Sequence, residues 1–246
     1  MNPNDILNPT VFYAGWELRE PVTSATDFLV AVMAALSLWR LWKRQQGSQT
    51  VAQQLMRGYF VCLALGMGCA AILGHLVQAY VPWEAKAVGW IFSAVGIACF
   101  EASSLSQNRP HLSRLAQRLL NGWVLLHLGL FLLAMCLPAW RNFETVKLNS
   151  ALGLMGTVLP LQAYRLWRSQ APASRWFVGA VLFGVFPALT FNLEISFSRW
   201  FNYHDISHVL MATYVYLVYQ GAKRLPDASQ AARPSPAARP LEMKTS

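Results

Sequence analysis

Seven long apolar stretches make up most of the chain, and they constrain its fold more than any other feature. Each contains roughly 20 mostly apolar residues, the length that an α-helix needs to cross a bilayer. The composition agrees, because 55% of the 246 residues are hydrophobic and only 13% are charged, about half the charged fraction of a soluble domain. We therefore predict an all-α integral membrane bundle of seven transmembrane helices, at residues 23–42, 58–80, 87–105, 119–138, 147–167, 176–195 and 204–221.

The apolar region divides the chain into three predicted segments. Residues 1–22 form an extracytoplasmic N-terminal segment, residues 23–221 the transmembrane domain and residues 222–246 a cytosolic tail. The tail is rich in Pro, Ala and Ser and has nothing to bury, so we expect it to be disordered. The start of the chain lacks the basic stretch and short apolar core of a cleavable signal peptide, so we expect the first span to be retained.

The basic residues that give the chain its net charge of +9 are distributed according to the predicted topology. Fifteen of the 20 Lys and Arg residues fall on one side of the seven-span arrangement. Because cytoplasmic loops carry an excess of Lys and Arg, this distribution predicts an N-terminus outside and a C-terminus in the cytosol. It also argues against nucleic acid as a partner, since the basic residues follow the loops rather than one binding surface. The expected partner is the lipid bilayer.

Histidines collect near the predicted outer ends of two spans. His204 and His208 lie four residues apart at the start of the last span, so they share one face of a helix. The predicted orientation brings His75, about one turn from the outer end of the second span, to the same depth. Three imidazoles at one level can bind Zn²⁺ and leave a fourth position to water, as catalytic zinc sites do.

Three carboxylates are predicted at the same level of the bundle. Asp27 lies one to two turns inside the first span, Glu84 follows the second and Glu194 closes the sixth. Any of them could orient a water molecule, accept its proton or hold the second nitrogen of a ligand histidine. The sequence does not rank these catalytic roles.

These residues carry a resemblance to a known superfamily. His204-x-x-x-His208 at the start of the last span, His75 near the end of the second and Asp27 in the first resemble the seven-span superfamily of alkaline ceramidases, progestin and adipoQ receptors and glycosylphosphatidylinositol-lipid-remodelling hydrolases, especially its bacterial branch. The resemblance implies a Zn²⁺ ion held by the three histidines and hydrolysis of amide or ester bonds in a membrane lipid. It also implies a multi-pass protein of the bacterial inner membrane.

Two positions depart from the ceramidase pattern. Ceramidases carry a serine four residues before the span-two histidine, where its hydroxyl assists the developing oxyanion, and this chain has Ala71. The family's aspartate after span two has no identical counterpart, because Lys86 occupies its approximate spacing and Glu84 is only nearby. These departures keep open a non-catalytic alternative, a metal-containing membrane receptor or lipid-binding protein.

The histidines also allow other interpretations. His204 and His208 could be interfacial residues at the start of a helix. His127 lies in the middle of the fourth span, where a hydrogen bond between helices is expected. Paired with His75 it could instead bind haem, as in a b-type cytochrome. The oligomeric state is not indicated by the sequence.

Overall fold

The computed structural model describes residues 9–228, and these residues confirm the all-α prediction. Short 3₁₀ turns, Trp83–Ala85 and Arg109–His111, lie directly before and after the helix Lys86–Asn108. The tail predicted to be disordered spans residues 222–246, and residues 229–246 of it lie outside the described residues. Within the described residues there are nine α-helices: α1 Pro21–Arg44, α2 Val51–Cys69, α3 Lys86–Asn108, α4 Arg114–Cys136, α5 Phe143–Ala151, α6 Leu159–Ser169, α7 Pro172–Phe183, α8 Val185–Asn192 and α9 Tyr203–Ala222.

Two π-helical segments extend these helices. Ala70–Leu76 continues α2, and Leu152–Val158 joins α5 to α6. The backbone N–H of Val77 donates to the carbonyl of Ile72, five residues earlier, which is the hydrogen bond of a π-helix. The wider turns of the first segment carry His75, so the local geometry at this histidine differs from that of a regular α-helix.

Five helical stretches of the described chain are long and apolar enough to cross a membrane. The helical stretches 143–169 and 203–222 are not among them, so the arrangement of seven spans stays a prediction. The five candidates are Pro21–Arg44, Val51–Leu76, Trp83–His111, Arg114–Cys136 and Pro172–Asn192.

The outer surface of the bundle is apolar. Leu125 is 71% exposed and Phe186 is 58% exposed, whereas Phe60 and Phe177 are fully buried in the core formed mainly by α1, α2, α7 and α9. A continuous apolar exterior is unfavourable in water and favourable against acyl chains. The burial pattern therefore agrees with a multi-pass membrane protein.

A β-hairpin precedes α1, and the sequence analysis did not predict it. Strand β1, Thr10–Tyr13, pairs antiparallel with β2, Trp16–Arg19. The turn residues Ala14 and Gly15 both have positive φ angles, a backbone twist that suits a two-residue hairpin turn.

The hairpin lies against the segment that follows the first π-helix. The ring of Trp16 packs edge-on against Tyr80 with a centroid separation of 5.2 Å. The backbone N–H of Glu17 donates to the Tyr80 hydroxyl at 2.7 Å. These contacts bring Glu20, the residue that follows β2, to the end of the bundle that carries His75.

Two glycines allow α2 and α3 to approach closely. A Cβ atom on Gly89 would lie 2.8 Å from the carbonyl oxygen of Gly66, which is closer than real Cβ contacts. Small residues at such crossings let membrane helices pack through their backbones.

We expect Gly89→Ala to destabilise the protein by about 1–3 kcal/mol, because the new methyl group forces α2 and α3 apart. Gly68→Ala is the matched control, since nothing lies within 4 Å of a Cβ built there. Thermal unfolding in detergent, followed by circular dichroism, should give a lower Tm for Gly89→Ala alone. Equal Tm values for the two variants would contradict this account of the helix crossing.

Candidate metal centre

Three separate elements bring histidines and a carboxylate to one end of the bundle. Helix α1 contributes Asp27, the first π-helical segment contributes His75, and the first turns of α9 contribute His204 and His208. The ring centroids of His75 and His204 are 6.2 Å apart, and those of His75 and His208 are 6.4 Å apart. The structure thus gathers the three histidines and Asp27 from three distant segments of the sequence.

Asp27 lies between two of the imidazoles. Its Oδ2 is 3.4 Å from Nε2 of His75, and its Oδ1 is 3.2 Å from Nε2 of His208. The Asp27 side chain is 1% exposed, and neither carboxylate oxygen has a hydrogen-bond partner among the described residues. A buried carboxylate in this state is strongly unfavourable unless a cation lies beside it.

Glu20 holds the other ring nitrogen of His75. Its Oε2 pairs with Nδ1 of that ring, and the side chain is largely buried. Burial raises the pKa of the Glu20 carboxyl, but the hydrogen bond to His75 and nearby positive charges outweigh it and leave the pKa below its usual value. A carboxylate at Nδ1 keeps a proton on that nitrogen, so Nε2 of a neutral His75 directs its lone pair towards Asp27.

Thr26 holds the Nδ1 atom of the His208 ring, as Glu20 holds that of His75. Its Oγ1 lies 3.1 Å from Nδ1 of His208. The hydroxyl donates its only proton to the carbonyl of Thr23 at 3.0 Å, and Oδ1 of Asp205 is a more distant acceptor for the same proton at 3.4 Å. The hydroxyl oxygen therefore accepts a hydrogen bond from Nδ1 of His208, which leaves Nε2 of a neutral ring facing Asp27.

The start of α9 is fixed by a capping box. The side chain of Asn202 accepts a hydrogen bond from the backbone N–H of His204, and the Asp205 carboxylate accepts one from the backbone N–H of Asn202 at 2.7 Å. Such reciprocal bonds satisfy the free N–H groups of a first helical turn. The cap and the Thr26 contact together hold this turn of α9 against α1.

The atoms that meet at Asp27, imidazole nitrogens and carboxylate oxygens, are of the types that zinc binds in proteins. Two imidazole lone pairs face two carboxylate oxygens at 3.2 and 3.4 Å. No three His, Cys, Asp or Glu side chains within residues 9–228 form a complete metal-binding group, and the His204 ring packs against Phe191 and Tyr203 instead.

Lys86 borders this cluster at the start of α3. Its ammonium group interacts electrostatically with the carboxylates of Glu20 and Asp27 and with His204. A positive charge therefore lies within electrostatic range of the two carboxylates and of His204.

Ala71 is fully buried on the π-helical segment that carries His75. Its carbonyl oxygen accepts a hydrogen bond from the hydroxyl of Ser24 at 2.8 Å. A serine hydroxyl therefore lies beside Ala71, but it comes from α1 and is occupied by a backbone carbonyl.

Two of the predicted catalytic carboxylates lie apart from the histidines. Glu84 and Glu194 are exposed, and within the described residues no hydrogen bond or ion pair joins either one to the histidine cluster. His127 lies elsewhere as well, with Nδ1 3.4 Å from Oε2 of Glu101, in a contact between α4 and α3. His127 therefore contacts a neighbouring helix, although neither Glu101 carboxylate oxygen has a hydrogen-bond partner among the described residues, and His127 is not paired with His75.

The sequence of the chain matches one known protein family. A model of the family of unknown function DUF6962 matches residues 22–227. The chain belongs to this family. The DUF6962 match spans Asp27 and the three histidines. No curated protein and no solved structure matches the chain.

We expect Thr26→Val to lower the free energy of unfolding by about 1–3 kcal/mol, because it leaves Nδ1 of His208 without its buried acceptor. Thr213→Val is the matched control, since Thr213 is exposed and bonds only the carbonyl of Val209 in its own helix. Chemical unfolding of both variants in the same detergent measures the difference. A Thr213→Val effect as large as that of Thr26→Val would remove the case for the contact with His208.

Proposed function

We propose that the protein is a zinc-dependent hydrolase of amide or ester bonds in membrane lipids, with His75, His204 and His208 as the metal ligands. The observation that carries the proposal is the pair of Nε2 atoms that face the buried Asp27 carboxylate at 3.4 and 3.2 Å. The resemblance of the same four residues to the ceramidase and adipoQ-receptor superfamily supports it.

Each residue around the centre has a distinct role in this proposal. Zinc, when bound, polarises the lipid carbonyl and makes water acidic near neutral pH. Asp27 accepts the proton of the attacking water, because its oxygens are buried and lack hydrogen bonds. Glu20 and Thr26 hold Nδ1 of His75 and of His208, which keeps both Nε2 atoms directed inward.

Lys86 offsets the negative charge that develops on the carbonyl oxygen. In ceramidases a serine hydroxyl serves the oxyanion, and here Ala71 replaces it while the nearby Ser24 hydroxyl is bonded to backbone. Lys86 already interacts with the carboxylates of the site, so its charge is available at the right end of the bundle. A fixed positive charge in a water-poor site stabilises an oxyanion strongly.

In this proposal the chain crosses the membrane seven times. Helices α5–α6 and α9 complete the seven crossings, the N-terminus lies outside and the C-terminus lies in the cytosol. The bias of Lys and Arg to one side supports this orientation. It puts the histidines near the outer face of a bacterial inner membrane, at a depth that a lipid substrate can reach from its own leaflet.

A non-catalytic metal-containing receptor or lipid-binding protein is the second candidate. The observation that favours it is the absence of a free hydroxyl beside Ala71 in the described structure, together with the exposed positions of Glu84 and Glu194. In that case zinc would stabilise the fold and lipid would bind without turnover.

Metal analysis tests the ligand assignment. We expect purified wild-type protein to hold about one zinc ion per chain and His75→Ala or His208→Ala to lose most of it, because each change removes one of the few ligands. His111→Ala, in an exposed turn, is the matched control and should keep its zinc. Unchanged zinc content in both ligand variants would show the assignment to be wrong.

Turnover of a ceramide and phospholipid panel distinguishes the two candidates. We expect Lys86→Met to lower kcat by about 10²–10³-fold with little change in zinc content, because it removes the charge that stabilises the oxyanion. Lys147→Met is the control, since Lys147 pairs with Glu144 and bonds Asn192 instead. Zinc-loaded wild-type protein that hydrolyses none of these lipids would favour the receptor.

A further inference from the structure

An apolar groove lies on the outside of the bundle, between α1 and α2. Its volume is about 390 Å³, and almost all of its lining is hydrocarbon or indole. It is an open groove rather than an enclosed cavity, so it is accessible from the surrounding lipid. The principal lining residues are Leu38, Trp39 and Trp42 of α1 and Val61, Ala64 and Leu65 of α2.

One end of the groove carries cations that rest on its tryptophans. The ammonium group of Lys43 lies 4.1 Å from the ring centroid of Trp39, and the guanidinium of Arg57 lies 5.7 Å from that of Trp42. A short loop, residues 45–50, joins α1 to α2, so the last turn of α1 and the first turns of α2 lie at the same end. Both cations therefore lie where the groove ends.

Arg57 also ties the two helices together there. Its guanidinium donates to the backbone carbonyl of Gln45 at 2.8 Å and contacts that of Leu41. Arg57 thus fixes the basic end of the groove, and Lys43 is exposed there.

We propose that this groove binds an anionic phospholipid. The acyl chain lies along the apolar walls of α1 and α2, and the phosphate lies against Lys43 and Arg57. Basic residues beside an apolar groove between membrane helices are suited to anionic head groups. A zwitterionic lipid brings its own cation to the same place, so the charge of the groove favours a head group with net negative charge.

The groove is separate from the histidine cluster. Asp27 and Ala35, the groove residue nearest to it on α1, are eight residues apart, which corresponds to about 12 Å along the helix axis. The proposal therefore does not depend on zinc or on hydrolysis, and it holds whichever candidate function is correct.

Native mass spectrometry of the full chain tests the proposal. The protein is released from nanodiscs that contain equal parts of phosphatidylglycerol and phosphatidylcholine with identical acyl chains, and the two retained lipids are compared. We expect wild-type protein to retain phosphatidylglycerol preferentially and Lys43→Gln to lower that preference about fivefold.

Lys223→Gln is the matched control. Lys223 lies at the same end of the bundle, where Arg40 and Arg44 act on it electrostatically, and its ammonium group rests 5.4 Å from the Tyr219 ring. It should keep the wild-type preference because it does not border the groove. An unchanged preference in Lys43→Gln, or an equal loss in both variants, would overturn the proposal.

Ala64→Trp tests the position of the acyl chain, because the added indole fills the groove. We expect it to lower the retention of both lipids while helix content and monodispersity stay unchanged. Wild-type retention of phosphatidylglycerol by this variant would show that the lipid binds elsewhere.

Discussion

The contacts of the buried Asp27 carboxylate organise the end of the bundle that carries the three histidines. It contacts His75 from the first π-helical segment and His208 from α9, so one side chain of α1 joins three elements. A charged group in an apolar interior costs several kcal/mol unless it is compensated. The surrounding structure supplies two imidazoles in contact with the carboxylate and the charge of Lys86 within electrostatic range of it.

Local structure around Asp27 is arranged to orient the histidines. The β-hairpin brings Glu20 to Nδ1 of His75, and Thr26, next to Asp27 in the sequence, occupies Nδ1 of His208. The π-helical turns and the capping box of α9 fix the backbones that carry these rings. Outer partners of this kind set the tautomer and direction of a histidine ring.

The sequence predicts the all-α fold well because long apolar stretches require helices in a bilayer. It also predicts that His75, His204 and His208 lie at one level, since helical rise and span direction determine depth. It does not predict the direction of a side chain around the bundle axis. Glu84 and Glu194, expected at the same depth, are therefore exposed and make no bond to the cluster. Glu20 was missed because its contact depends on a hairpin and a left-handed backbone at Glu20 itself, and no hydropathy pattern encodes either.

X-ray absorption at the zinc edge tests the central claim most directly, because it reports the ligand atoms themselves. The account predicts a shell of nitrogen and oxygen at about 2.0–2.2 Å, with the outer-ring scattering of at least two imidazoles. Sulfur at about 2.3 Å would contradict it, because it would place zinc on thiols such as Cys62 and Cys99, which contact each other between α2 and α3. A shell without imidazole scattering would contradict it equally.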